Sequence, residues 1–379
     1  MRLSYWEKQT FFSNIDVAII GSGIVGLNAA WQIKILNPSI NVVILERSFL
    51  PYGASTRNAG FACFGSISEL LDDLTRESEQ EVFSRVEKRY RGLLRLRQKL
   101  GDTNIQYEGL GSFEVFTPSD SLLFQECTNA FNFFNDSLYK ITGEVNTYSV
   151  VDDKISSMGF AGINHMISNR LEGQIDTGKM MYSLIERVKA AGAVILNGIT
   201  IESFENSDNG VVLRESSDFN FEAKKLLVCN NGFAKQLLPN AEVTPARAQV
   251  MVTSPIPELK LKGCFHYEKG YYYFRNVGDR ILFGGGRNLD FKGETTYEMS
   301  LTEQIQNRLK ELLTTTIAPG LNYNIDQTWS GIMGLGNSKT TIVKKLEPNV
   351  YCAVRMGGMG VAIGTLIGEE AAQMVVNDF

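Results

Sequence analysis

The chain has 379 residues, 44% of them hydrophobic and 21% charged, an ordinary balance for a folded globular protein with more than one core. Its formal charge of −5 argues against a basic phosphate-binding surface, and so against nucleic acid. Five scattered cysteines, two histidines and no C-x-x-C pair speak against a disulfide frame, a zinc site or a histidine-rich metal centre, so no metal is expected and a reducing, cytoplasmic setting fits.

The first residues, MRLSYWEKQTFFSN, lack the apolar core of a signal peptide. No run approaches the roughly 18 apolar residues of a membrane span. Residues 16–47 read DVAIIGSGIVGLNAAWQIKILNPSINVVILER. VAII has the pattern of a buried strand, LNAAWQIKIL of a helix that Asn37-Pro38 stops, and NVVIL of a second strand. Between strand and helix lies a G-x-G-x-x-G turn: Gly21, Ser22, Gly23, Ile24, Val25 and Gly26. Gly21 permits the tight turn, Gly23 lets the backbone meet a pyrophosphate, and Gly26 lets the helix close on the sheet. The helix N-terminus then offers free N–H groups and its dipole to the anion. Glu46 follows Gly26 by 20 residues, the place of an acid that bonds ribose hydroxyls and disfavours a 2′-phosphate. This unit reads as a dinucleotide site; alone it does not choose between FAD and NAD.

Past Glu46 and Arg47 comes a second polar cluster, Ser55, Thr56, Arg57, Asn58, Ala59 and Gly60. It lies one loop from the phosphate site, though the same residue types also cap surface helices. Residues 81–100 form a helix with a solvated basic face, and 105–118 read as hairpin strands. Several strands without intervening helices fill 243–291 and predict a largely antiparallel sheet, with NVGDR as a hairpin turn. In YYYFR, alternation puts Tyr271, Tyr273 and Arg275 on one face and Tyr272 and Phe274 on the other. The first face is either a substrate wall with an anion anchor or an ordinary cross-strand ladder. Arg247 reads as a buried ion-pair former. Residues 300–313 read as a helix opened by a Ser300–Glu303 capping box. At the C-terminus VYCAV is strand-like and VAIGTLIGEEAAQMVV helix-like. Gly357, Gly358, Gly360 and Gly364 crowd this junction, marking either a close approach to the backbone or a tight strand–helix turn.

Seven stretches in order, GSGIVG with Glu46, GASTRNAGF, residues 173–205, AKKLLVCNNGFAKQLLP, PARAQVM, WSGIMG and RMGGMGVAIG, resemble the FAD-dependent oxidoreductase family of D-amino acid oxidase, glycine oxidase and sarcosine oxidase. The gamma-glutamylputrescine oxidase-like branch is the most similar. The resemblance implies an α/β and α+β fold, with a Rossmann-like FAD-binding domain interwoven with a mostly antiparallel substrate domain. It assigns 1–75, 170–240 and 322–379 to the first domain and 76–169 and 241–321 to the second. Non-covalent FAD is implied, held by residues 21–26, Glu46, Arg47 and residues 55–60. Ile201 would meet adenine through its backbone, and Asn231, Gly232, Gly331, Gly358, Met359, Gly360 and Val361 would complete the site. Tyr273, Arg275, Met333 and Met359 are the implied substrate-side residues.

Departures accompany the resemblance. Met359 stands where the branch has histidine, and Met333 where glycine oxidase-like members carry an arginine for the substrate carboxylate. Ala248 replaces a glycine, and RILFGGGR lacks the lysine that sarcosine oxidase-like members use with oxygen. The implied reaction oxidises the C–N bond of an amine or amino acid by hydride transfer to flavin N5, with O2 or another acceptor taking the electrons. Oxidation of a 2-hydroxy acid, which would require a base, and a flavoprotein scaffold without a reaction are the alternatives.

Overall fold

The computed structural model describes residues 3–379. After a short helix, α1 (Tyr5–Phe11), the chain runs through β1 (Ile15–Ile20), α2 (Ile24–Leu36) and β2 (Val42–Glu46). A one-turn helix, α3 (Ala54–Arg57), and β3 (Phe61–Ala62) lead to α4 (Ile67–Leu74) and the long α5 (Glu79–Leu100). Strands β4 (Ser112–Phe116), β5 (Tyr148–Val150), β6 (His165–Asn169) and β7 (Gly173–Gln174) follow. Helix α6 (Thr177–Ala190) precedes β8 (Val194–Asn197), β9 (Ile201–Ser207), β10 (Gly210–Glu215) and β11 (Asn220–Val228). Next come β12 (Thr244–Thr253), β13 (Cys264–Tyr267), β14 (Tyr272–Val277) and β15 (Arg280–Gly285). The chain ends with α7 (Glu303–Leu312), β16 (Ile325–Leu335), β17 (Ile342–Glu347), β18 (Val350–Val354) and α8 (Gly360–Val376).

The first sheet has the order β17-β18-β11-β1-β2-β8, with the β9–β10 hairpin joined to β11. From β18 to β8 its neighbours are parallel, and the strands are apolar on both faces, as covered parallel strands must be. Val17 and Ile19 pack with α2 and α8 on one side, and Ala18, Ile20 and Val228 pack with Val211 and Leu213 of β10 on the other. This is the expected Rossmann-like layer.

The second sheet has the order β16-β12-β15-β14-β13-β4-β6-β5. It is antiparallel except at β13–β4. Tyr272 and Phe274 join Phe265, Phe283, Ile305 and Leu309 in its core, while Tyr273 and Arg275 take the opposite face. Arg247 pairs with Glu294 at 2.7 Å with both side chains buried. β16 belongs to this sheet although it follows residue 322.

Several local expectations give way to tertiary partners. Residues 105–118 form no hairpin: Ile105 ends a helical turn, Glu108 bridges Gln174, and only Ser112–Phe116 is a strand. Helix α5 is not uniformly solvated on its basic side. Arg85 is buried against Asp73 and Glu77, and Arg89 is buried with a bond to the Phe64 carbonyl. The Ser300–Glu303 capping box does not form. Thr302 sits at the N-cap of α7, and the Ser300 hydroxyl accepts from Arg247 instead.

Glycines set the helix layer. A Cβ on Gly364 would lie 2.7 Å from Ile24, and one on Gly368 would lie 2.6 Å from the Asn28 Cβ and 2.7 Å from the Val25 carbonyl. Gly92 of α5 meets the Ala362 carbonyl, 2.0 Å from where its Cβ would be. The close approach at Gly364 is therefore that of a neighbouring helix. Gly368→Ala is expected to destabilise the fold by about 1–3 kcal/mol despite alanine's better helix propensity, read as a lower urea midpoint.

Glu114 on β4 is buried with Ser68 at its carboxyl. Burial pushes its pKa up to about 7. The folded chain thus holds a proton that the unfolded chain releases above about pH 4.5, so stability drains between about pH 4.5 and 7 and is flat above. Glu114→Gln is expected to raise stability above pH 7 by about 1–3 kcal/mol, with no gain below about pH 4.5. Thermal midpoints of the two proteins across that range check it.

Candidate active site

An open groove of about 880 Å³ runs along the C-terminal ends of β1, β2 and β11, where parallel sheets place their ligands. Gly21, with φ +103°, turns the chain out of β1, and a Cβ there would lie 3.0 Å from the Cys229 carbonyl. Gly26 sits against the Gly21 carbonyl, 2.1 Å from where its Cβ would be, so no side chain fits at this helix–strand contact. Gly23 is the N-cap of α2 and supplies no side-chain cap. The Ser55 hydroxyl accepts from the Ile24 N–H at 2.9 Å instead. Val25 and Ile24 are otherwise buried in the helix layer.

Glu46 closes β2 with its carboxylate accepting from the Ser22 N–H and hydroxyl, at 3.2 and 2.8 Å, and from the Ser48 N–H at 3.1 Å. Arg47 stacks on the Phe233 ring at 3.8 Å and lines the groove. Ile199, Thr200 and Ile201 line it where β9 begins. Opposite them lie Asn230, Asn231 and Gly232. The Asn230 Oδ1 is buried without a partner, while Asn231 Oδ1 accepts from the Arg355 and Met356 N–H groups.

Beyond Gly232 three remote segments converge. A Cβ on Gly331 would lie 3.2 Å from the Arg57 Cβ, and one on Gly358 would lie 3.4 Å from the Met333 sulfur. Arg57 and β16 are clasped both ways: Arg57 Nη1 donates to the Ser330 carbonyl at 2.8 Å, and Trp329 Nε1 donates to the Arg57 carbonyl at 2.9 Å. Thr56 bonds the Pro51 carbonyl, and Asn58 donates to the Ala54 and Ser55 carbonyls while its Oδ1 accepts from the Gly60 N–H and from the Thr177 hydroxyl at the start of α6. Gly357 and Gly358 have φ of +61° and +80°, which favours glycine. Met359, Gly360 and Val361 then open α8, whose N-terminus has no side-chain cap.

Of the residues expected on the substrate side, Tyr273, Arg275 and Met333 lie on the second sheet and Met359 at the start of α8. Ala59, Val250 and Leu282 are buried together, with Phe61, Tyr273 and Trp329 packed on them. Phe61 contacts Tyr273 edge-on at 5.8 Å and His266 at 5.3 Å. Burial pushes the Tyr273 hydroxyl up to about 12 and holds His266 down at about 4, so neither carries charge at neutral pH. Arg275 is buried, with Nη2 on the Ile175 carbonyl at 3.0 Å and 2.7 Å from where a Gly60 Cβ would be. Its guanidinium supports the underside of the 55–60 loop and does not stand free as an anion anchor.

The family model for FAD dependent oxidoreductases matches residues 16–374. The chain belongs to this family. Gamma-glutamylputrescine oxidoreductase from Escherichia coli is 22% identical over 390 residues, spanning 96% of this chain and 84% of that protein. Among solved structures, iminodiacetate oxidase from Chelativorans sp. BNC1 aligns with a TM-score of 0.76 at 20% identity, over 95% of each chain. L-proline dehydrogenase from P. horikoshii aligns at 0.74 and 16% identity, over 96% of this chain and 93% of its own. These structural likenesses fix the fold; the family match makes the chain an FAD-dependent oxidoreductase.

The residues present fit FAD. The side-chain-free cradle at Gly21, Gly23 and Gly26 leaves room for pyrophosphate at the α2 N-terminus, and Asn230 Oδ1 is an unspent acceptor on the groove wall. Glu46 keeps lone pairs for ribose hydroxyls beyond those taken by Ser22 and Ser48. Among the described residues no helix is long and apolar enough to cross a membrane.

Sequence reasoning did not single out three neighbours of Tyr273 in this cluster. His266 shares a face with Tyr273 because β13 and β14 pair them directly. The parity of CFHY placed Cys264 and His266 together, but only strand pairing shows which face that is. Phe61 and Trp329 lay inside recognised stretches without a role. Glu46→Ala would remove a charged acceptor at the ribose end, so FAD affinity is expected to fall about 10- to 100-fold; titrating apoprotein with FAD by fluorescence measures it.

Proposed function

We propose that this FAD-dependent oxidoreductase oxidises the C–N bond of an amine or amino acid. Bound FAD supplies the hydride acceptor at N5 and leaves the substrate an imine, which water hydrolyses. The observation that carries this reading is the convergence of the 55–60 loop, Gly331–Met333 and Gly358–Gly360 at one place. The uncapped N-terminus of α8 would face the flavin's pyrimidine edge and favour negative charge there. Phe61, Tyr273 and Trp329 would wall the substrate, exclude water and align its carbon at roughly 3–3.5 Å from the acceptor. Ser55, with the Gly21–Gly26 turn, would seat the pyrophosphate; Ile201 would border adenine; and Asn231 and Gly232 would close the wall between.

The uncharged wall favours an amine over a 2-hydroxy acid. A neutral amine needs no base to release hydride, whereas an alcohol does. Tyr273 keeps its proton to about pH 12, and His266 is a weak base at about 4. Met333 and Met359 add apolar surface and no carboxylate clamp, so amines with an apolar body fit better than small amino acids. Electrons would pass to O2 or another acceptor.

FAD is held non-covalently in this reading. All five cysteines are free and buried, which also supports a reducing, cytoplasmic compartment. The domain division follows the two sheets: FAD to the segments of the first, substrate to those of the second, with β16 contributed by 325–335.

Anaerobic mixing with a panel of primary and secondary amines and amino acids is expected to bleach the flavin near 450 nm, on the order of seconds or faster, with monoamines and diamines ahead of glycine and alanine. A normal oxidised flavin spectrum that no member of the panel bleaches would remove the amine assignment.

A further inference from the structure

We propose that Cys63, Glu172 and His266 form a zinc-type metal site where the short β3–β7 pair lies beside β13. The three residues come from the end of β3, the turn before β7, and β13. One donor atom from each lies within 4.8 Å of the other two. Tetrahedral zinc, with bonds of roughly 2.0–2.3 Å, sets its donors about 3.5 Å apart. Closing the site therefore asks for shifts of about 1 Å, within ordinary side-chain adjustment.

Two features of this cluster point to a cation. Glu172 is fully buried at 0% exposure, and it forms no ion pair among the described residues, although a buried carboxylate normally has a countercharge. His266 Nε2 is buried without a hydrogen-bond partner. The Cys63 and Cys264 thiols both approach the Gly173 carbonyl, at 3.8 and 3.2 Å, and Cys63 also lies against the Glu172 carboxylate.

The Glu172 carboxylate is already oriented. Its Oε1 accepts from the Phe64 and Gly65 N–H groups at 2.6 and 3.0 Å, and Oε2 accepts from the Ser112 hydroxyl. Such outer bonds are the usual way a ligating carboxylate is aimed, and Oε2 retains a lone pair for a metal. Mixed sulfur, nitrogen and oxygen donors favour zinc over magnesium or calcium, which take oxygen alone. On binding, Cys63 loses its thiol proton to solvent as the sulfur–zinc bond forms. The metal would tie β3, β7 and β13 together and fix the His266 ring against Phe61, and so hold the substrate wall.

The test uses FAD-loaded protein from zinc-supplemented cells. Elemental analysis is expected to give about one zinc per chain for the wild type and about one tenth of that or less for Cys63→Ala and His266→Gln. The FAD-to-protein ratio of each variant shows whether it has folded. In the wild type alone, a strong chelator is expected to lower the thermal midpoint and added zinc chloride to restore it. A wild type that carries no zinc and shows no midpoint response overturns the proposal, as do folded variants that keep the wild-type zinc content.

Discussion

The contact between α2 and α8 governs the geometry of the groove. Both helices follow parallel strands of one sheet and both start at its C-terminal edge, so their N-termini open on the same side. Gly364 and Gly368 let the two backbones close until Ile24 and Asn28 touch the α8 main chain. Gly92 brings α5 equally close from the outside. A larger residue at any of these positions would turn one helix end away from the other. The arrangement serves chemistry because each N-terminus is a fixed partial positive charge that costs no reorganisation when an anion arrives. One end suits a pyrophosphate, the other a ring that gains charge when reduced.

Much of the first layer could be read from local signals. The G-x-G-x-x-G turn, the stop at Asn37-Pro38 and the acid at Glu46 are short-range features whose physics does not depend on the rest of the chain. The face of β14 was likewise fixed by alternation, and Arg247 found its buried partner in Glu294. What escaped were pairings between distant segments. Glu108 had the look of a hairpin residue but bridges Gln174, and Ser300 had the look of a cap but is claimed by Arg247. Arg85 and Arg89 carry charge that a pattern assigns to water, yet Asp73, Glu77 and a carbonyl hold them inside. In each case a partner remote in sequence won over a propensity worth about 1 kcal/mol or less.

Glycine crowding is the clearest example of a signal with two sources. At Gly357 and Gly358 the backbone conformation requires it, and at Gly364 and Gly368 a neighbouring helix does. Sequence alone merges these causes into one question about a ligand. On the proposed function, separating them narrows the stretch that would face the flavin to the few residues ahead of the α8 N-terminus, beside Met333. The polar seam behind the substrate wall is different again. Its members are scattered over 200 residues, and their common location follows only from the β3–β7 pair lying beside β13.

The amide of Asn231 has a wider meaning. One side-chain oxygen fixes the N–H groups of both Arg355 and Met356, and Arg355 is itself held at φ +65° with its guanidinium on the Thr340 and Glu242 carbonyls. The bend that carries Gly357 and Gly358 is therefore registered against the nucleotide wall by a residue more than a hundred positions upstream. Replacing Asn231 alone would strand two amide hydrogens, so the two stretches are held in register despite their separation along the chain.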